Sequence, residues 1–277
     1  MARLPALILL VVLVTACSST PPPVTQSPAS PTTAPGAPAA TTTSAATTPP
    51  DAKLVDPAVI QALKAMGGYL QTLKQYAVAI DLSGERVLAD GEKLQHTATA
   101  NLQVSSPNKL RAQMRSARSQ RELFYDGKTV TLYQPQQKYY SQVEFAETNA
   151  VLVERLRQRY GVEVPSADLF LWGTSAAPLD NIQSAMNAGQ DFIGGKLCDH
   201  YAIRQGDFDW QIWIAVGDRP LPCKLVITNR ADEARPQSIT VYRWNLNPKF
   251  GSSLFTFTPP KDAKEAKFVP LKTQQSQ

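Results

Sequence analysis

The sequence predicts an α+β fold, in which a helix, a run of strands, a helical interlude and a second run of strands follow one another. Three patterns in the 277-residue chain carry that prediction. Apolar residues recur at helical spacing after Asp56-Pro57, period-two alternation sets in from Tyr76 and returns from Cys198, and TNAVLVERLRQRYG between the two blocks has the spacing of a helix.

The elements follow in chain order. Residues 1–16, MARLPALILLVVLVTA, have the parts of a secretory leader: a basic residue at Arg3, an apolar stretch from Leu4 to Val14, and small residues at Thr15 and Ala16. The stretch is too short to span a bilayer, which takes roughly 20 apolar residues. Val14, Thr15, Ala16 and Cys17 resemble the lipobox of bacterial lipoproteins, and the resemblance implies a diacylglyceryl thioether on Cys17 and cleavage before it. An ordinary cleaved leader followed by a chance cysteine is the plainer alternative. Ser18 follows, in place of the aspartate that the lipoprotein sorting rule associates with retention in the inner membrane. Anchoring at the periplasmic face of the outer membrane is therefore expected, by acyl chains and without a span.

Residues 17–52 join the lipidated cysteine to a tract rich in proline, threonine and alanine. From Ser18 to Pro50 it holds no charged or aromatic residue. Such a composition buries too little surface to offset its ordering entropy, so a disordered tether, partly polyproline II, is expected. Its reach is on the order of 100 Å at about 3.1 Å per residue. No second linker follows, and residues 53–277 are read as a single domain.

Within that domain, Asp56 caps a helix with Pro57 at its first position, and Val59, Leu63, Met66 and Leu70 form its apolar face. Gly67-Gly68 is a weak point at which a kink or an early end is expected. Tyr76, Val78, Ile80 and Leu82 then alternate with polar or small residues, as do Leu94, Ala98, Leu102 and Val104. Leu110, Ala112 and Met114 continue the inward series while Lys109, Arg111 and Arg115 point outward as a basic stripe. Asp126-Gly127 marks a hairpin turn. In the interlude, Val151, Leu152, Leu156 and Tyr160 share a helix face that ends at Gly161. PSADLFLWG reads as a short helix capped by Ser166, and LDNIQSAMNAG as a third helix or the start of a strand. CDHYAIR, DWQIWIAV, CKLVITN, QSITVYRW and SLFTFT read as strands.

The functional signals are sparse. The net charge of +5 and a pI near 9.1 suit solubility, or contact with anionic lipid or another polyanion; a nucleic-acid partner is out of reach from the periplasm. With Cys17 taken by lipid, Cys198 and Cys223 are left as an even pair in an oxidising compartment, which favours a disulfide worth roughly 3 kcal/mol. The sharper alternative is a metal site of Cys198, His200 and Cys223 with His96, but tight ligand pairs are lacking in both halves. Trp210 and Trp213 fall on opposite faces of a strand, one inside and one partly exposed. Asp207 and Asp209 are a same-face carboxylate pair at a turn with nothing to raise either pKa. There is no G-x-S-x-G, no P-loop and no dinucleotide fingerprint. Neither an enzyme nor a cofactor is expected.

VPSADLFLWG, GGKLCDHYAIRQGDFDWQIWIAVGDRPLPCKLVIT, YRWNLNPKF and FTFTPPKDAK resemble blocks of a bacterial family of predicted periplasmic proteins, the DUF2092 type. That family is similar in fold to the lipoprotein carriers LolA and LolB, to mycobacterial glycolipid-carrying lipoproteins and to the N-terminal domain of the stress regulator RseB. The resemblance implies a strongly curved antiparallel β-sheet, a half-barrel, with helices covering its concave face and acyl chains held between. Leu152, Leu156, Leu169 and Trp172 are then candidate ligand contacts, with a close-packed core as the other use of the same residues. Three functions remain: a carrier of lipid-like or lipoprotein cargo, an envelope sensor or assembly module that binds a protein partner, and a structural lipoprotein without soluble ligand.

Overall fold

The computed structural model describes residues 54–270, all within one compact unit. The leader, Cys17 and the whole of the tether, residues 17–52, lie outside the described residues. Helix α1 (Pro57–Thr72) is followed by strands β1 (Gln75–Val87), β2 (Lys93–Ser105), β3 (Lys109–Arg115), β4 (Gln120–Tyr125), β5 (Thr129–Gln134) and β6 (Tyr139–Glu144). Helix α2 (Asn149–Tyr160) and a 3-10 turn (Ala167–Phe170) form the interlude. Strands β7 (Ile182–Ile193), β8 (Lys196–Gln205), β9 (Phe208–Ala215), β10 (Pro222–Asn229), β11 (Gln237–Asn245) and β12 (Lys264–Glu265) complete the chain.

All twelve strands belong to one open sheet, ordered β12-β6-β5-β4-β3-β2-β1-β11-β10-β9-β8-β7. Each meander is a run of antiparallel neighbours, and the long first strand joins them by pairing with β2 on one side and β11 on the other. The short β12 runs parallel to β6 and closes that edge. The expected α+β class and antiparallel sheet are present.

The alternation sorts the faces as anticipated except at the start of β2, where Leu94, expected inward, is 40% exposed because that end of the strand has no covering layer. Tyr76, Val78 and Ile80 of β1, Ala100, Leu102 and Val104 of β2, Leu110 and Ala112 of β3, and Ile212 and Ile214 of β9 share one apolar cluster with the buried faces of both helices. Each large aliphatic side chain so buried contributes about 1.5–3 kcal/mol. On α1, Asp56 accepts a hydrogen bond from the N–H of Ala58 at 2.8 Å. On α2, Thr148 caps the start and Gly161, at φ 64°, ends the helix in the left-handed region. Asp126 accepts from the N–H groups of Lys128 and Thr129 at 2.9 and 2.8 Å, which fixes the β4–β5 turn.

Several expectations are corrected. LDNIQSAMNAG forms the start of β7, an edge strand with bulges near Ile182/Ser184 and Asn187/Gly189. Its outer half is uncovered on both faces, so no alternation was there to be read. PSADLFLWG makes a 3-10 turn, and Ser166, at φ 51°, gives no side-chain cap; its hydroxyl faces that of Tyr242 at 3.4 Å. SLFTFT is no strand. Its period of two arises because Phe257 plugs a box of Phe124, Tyr133 and Tyr140, with ring centroids 5.2–5.3 Å away, on the sheet face opposite the helices. Val151 is 39% exposed, and Val153 is buried beside Leu152 and Leu156 instead. Trp210 and Trp213 do occupy opposite faces, but both are buried, because a second, smaller cluster forms around Trp213. Helix α1 runs through Gly67-Gly68 without ending.

Candidate ligand-binding site

The four candidate contact residues converge. Leu152 and Leu156 from α2, Leu169 from the 3-10 turn and Trp172 just after it are at most 4% exposed and sit in the cluster that lines the helix side of the sheet. The space between the layers is filled. The gap between α2 and strands β5 and β6 holds about 40 Å³, and the gap beneath Val162–Pro165 about 20 Å³. Ligand sites are usually clefts of roughly 300–1,000 Å³, so as they stand these residues are a packed core.

A cleft of suitable size opens where the helix layer ends. It measures about 420 Å³ and is bounded by the end of α1, the start of β1, the β2–β3 turn, the first turn of α2 and the 3-10 turn. Leu70, Tyr76, Leu169 and Phe170 give it an apolar wall, while Gln71, Lys74 and Asn149 stand among the polar lining groups. Leu169 is therefore shared between core and cleft. Sequence reasoning missed the other lining residues, since they come from five separate segments with no common motif.

Local hydrogen bonds explain how the cleft is held. The Gln71 side-chain amide donates to the Trp172 carbonyl at 2.6 Å, tying α1 to the segment after the 3-10 turn. The Tyr125 hydroxyl donates to the Glu147 carbonyl at 2.5 Å and accepts from its N–H at 3.0 Å, seating the entry to α2 on β4. Asn149 is 4% exposed; its amide donates to the Lys109 carbonyl at 3.3 Å, but its Oδ1 has no protein partner. Such an orphan acceptor costs free energy unless something donates to it. Burial raises the pKa of the Tyr76 hydroxyl, keeping this wall neutral.

Next to Leu169, in the 3-10 turn, lies a half-buried acid. Asp168 accepts from the Trp172 indole N–H at 3.4 Å, and burial pushes its carboxyl above the usual carboxylate range. The same burial, with the Asp168 charge nearby, raises the Tyr242 hydroxyl well above its ordinary value. A carboxyl whose folded pKa is raised stabilises the fold only when protonated, so that contribution is complete below its unfolded pKa near 4 and is lost as pH rises through the folded value. Asp168→Asn, which keeps an acceptor for Trp172 and removes the charge, is expected to raise the melting temperature at pH 7 and to have a shrinking effect towards pH 4. Melting curves of both proteins across that range check it, and equal curves throughout would show that the charge is not felt.

The remaining candidates are placed as follows. Lys109, Arg111 and Arg115 share the sheet face away from the helices, but Arg111 is tied to Glu122 at 3.0 Å and lies 4.7 Å over the Phe124 ring, so the stripe is interrupted. Cys198 and Cys223 form a disulfide between β8 and β10, which consumes both thiolates and excludes the four-ligand metal arrangement. His200 stacks on Trp213 at 4.0 Å, and its Nε2 lies 2.9 Å from the Gln211 side-chain Oε1. Asp209 is held ionised by Arg204, in a fork of 2.7 and 3.0 Å contacts that lowers its pKa. That makes it a poor general acid.

The described residues thus form an open, mostly antiparallel sheet whose apolar face packs with two helices, with a cleft of mixed polarity where the helix layer ends. The chain belongs to the DUF2092 family of predicted periplasmic proteins, whose model matches residues 59–269. Comparison with curated proteins finds no match. Among solved structures the chain is similar to LprF from Mycobacterium bovis, at 12% identity over 76% of this chain and 99% of that one with a TM-score of 0.42. It is also similar to the lipoprotein LppX from Mycobacterium tuberculosis, at 10% identity over 70% and 98% with a TM-score of 0.36. A LolA superfamily protein from Nitrosomonas europaea matches at 9% identity over 72% and 97%, with a TM-score of 0.34.

Proposed function

We propose that this protein is a membrane-anchored periplasmic lipoprotein that binds or carries a lipid-like molecule between its helices and its sheet. The observation that supports this reading is the 420 Å³ cleft, which is lined by Leu169, a member of the same buried cluster as Leu152, Leu156 and Trp172. An amphiphile fits its chemistry. The tail lies against Leu70, Tyr76 and Phe170, an anionic head group meets Lys74 at the rim, and a hydroxyl or amide of the ligand donates to the orphan oxygen of Asn149. A small outward movement of α1 and α2 would extend the cleft along the candidate residues, on the concave side of a curved sheet. The anchor in this reading is an acylated Cys17 at the periplasmic face of the outer membrane, with residues 18–52 as tether, and the role is binding without catalysis.

Native mass spectrometry of the full-length protein taken from its own cells under mild conditions is expected to show a bound lipid. Ala150→Trp, which fills the cleft from the first turn of α2, should lower the loaded fraction at least tenfold with little change in melting temperature. A protein free of lipid in both forms, with one dominant protein partner captured by crosslinking in cells, would replace this reading with that of an envelope sensor or assembly module.

A further inference from the structure

We propose that the end of the sheet formed by the β7–β8 and β9–β10 turns docks on an anionic lipid bilayer. Phe192 of β7 stands directly opposite Leu197 of β8. Val216, just past β9, donates its N–H to the Leu197 carbonyl at 3.1 Å, so the three side chains form one row across neighbouring strands. They are 75%, 37% and 46% exposed, respectively. The row lies on the helix side of the sheet but beyond the last covered layer: along the same face, Ile203, Tyr201 and Ile214 are 3%, 8% and 3% exposed. Packing within the described residues does not account for it.

Basic residues stand at the same end of the sheet, Lys196 on the face opposite the row, while Asp199 lies two residues from Leu197 on the row's own face. Lys196 follows the Gly194-Gly195 turn and Arg219 lies in the β9–β10 turn, and neither takes part in an ion pair among the described residues. Both also line a groove of about 680 Å³ floored by Ala215, Leu221 and Cys223. Asp218 is the acidic residue of the β9–β10 turn. Aromatic and aliphatic tips at the same end of the sheet as cations suit the head-group region of a bilayer. Three side chains are too few for a stable protein interface, which takes roughly 800 Å² from each partner.

The chain outside the described residues points to the same partner. The Leu54 carbonyl accepts from the N–H of Ala185 in β7 at 2.9 Å, so the preceding segment arrives at the edge strand that carries Phe192. The residues between Cys17 and Leu54 reach on the order of 110 Å, well beyond the length of a twelve-residue strand, at about 3.4 Å per residue. In the reading proposed above, in which that segment leads to an acylated Cys17, the tips can therefore meet the membrane, whether or not the cleft is loaded.

The test uses the chain from Ser18 onward, which lacks the apolar leader and Cys17 and keeps every described residue. It is sedimented with vesicles of phosphatidylglycerol and phosphatidylethanolamine, and separately with phosphatidylcholine vesicles. Binding is expected to the anionic vesicles, weakening as salt is added. Lys196→Gln with Arg219→Gln should lower the partition coefficient roughly thirtyfold, as two basic groups near an anionic surface imply. Phe192→Ser with Leu197→Ser should lower it at least tenfold while far-ultraviolet circular dichroism and melting temperature stay unchanged. Wild-type protein left in the supernatant, or variants that pellet like the wild type, would overturn the proposal. So would a change in sedimentation velocity of the serine variant without vesicles, which assigns the row to a second copy of the chain. A lipid-loaded protein that ignores vesicles sinks the docking alone; an empty protein that binds them sinks only the cleft reading.

Discussion

Replacing both Cys198 and Cys223 with alanine is expected to lower the unfolding free energy by about 3 kcal/mol, because the bond closes a loop with a sequence separation of 25. In a domain of this size that corresponds to a melting temperature lower by roughly 6–12 °C. The bond joins β8 to β10 across the intervening β9, whose Trp213 belongs to the same small cluster as both cysteines. That indole is stacked on His200 at 4.0 Å, lies 4.5 Å from the Lys224 ammonium and donates to Asp191 at 2.8 Å. Loss of the bond therefore uncovers a packed aromatic as well as relaxing the unfolded chain. Denaturant titrations of the double variant, and of the native protein with and without reductant, measure the difference. A loss below about 1 kcal/mol would show that the registers of β8, β9 and β10 hold themselves.

The parts of this fold that were legible from sequence are those in which one residue does one local job. Asp56-Pro57 starts α1, Asp126-Gly127 turns β4 into β5, and Val78, Ile80, Leu102 and Val104 alternate because one side of their strands is buried. The cysteine pair was legible because two thiols in an oxidising compartment have few other fates. β7 was ambiguous because it is an edge strand whose register is imposed by β8, so its own side chains carry no period. Phe255 and Phe257 imitated a strand because each is anchored by ring packing, Phe255 on the nearby Phe250 and Phe257 on the distant Phe124, with no ladder beside them. Leu152, Leu156, Leu169 and Trp172 were legible as members of one buried cluster, but hydrophobicity does not distinguish a residue that lines a space from one that fills it. The 420 Å³ cleft depends on where five chain segments stop relative to one another, and that is a property of tertiary packing alone.

Gly67→Ala is expected to destabilise the protein by about 1–3 kcal/mol, the usual cost of overpacking, although alanine is the better helix former by about 0.8–1.0 kcal/mol. A Cβ at this position would stand 2.5 Å from the Gly173 nitrogen, 3.0 Å from its Cα and 3.1 Å from the Trp172 carbonyl carbon. All three neighbours are backbone, so no side chain can swing away. Gly173 cannot yield either: it sits at φ +80°, and its own Cβ would meet the Gly67 carbonyl oxygen at 2.5 Å. The two glycines thus let α1 lie directly on the segment that the Gln71 side chain clasps at the Trp172 carbonyl. Gly68, one residue on, has nothing within 4 Å of a Cβ, so Gly68→Ala should stabilise by up to about 1 kcal/mol. Opposite signs at adjacent positions separate close approach from helix propensity, and two stabilising substitutions would refute the contact. The consequence reaches the cleft, because Leu70 and Gln71 lie one turn further along the same helix. Under the proposed function, a Gly67→Ala protein, with α1 pushed off the Trp172–Gly173 segment, is expected to release any lipid held in the cleft faster than the wild type in native mass spectrometry, even at temperatures where it remains folded.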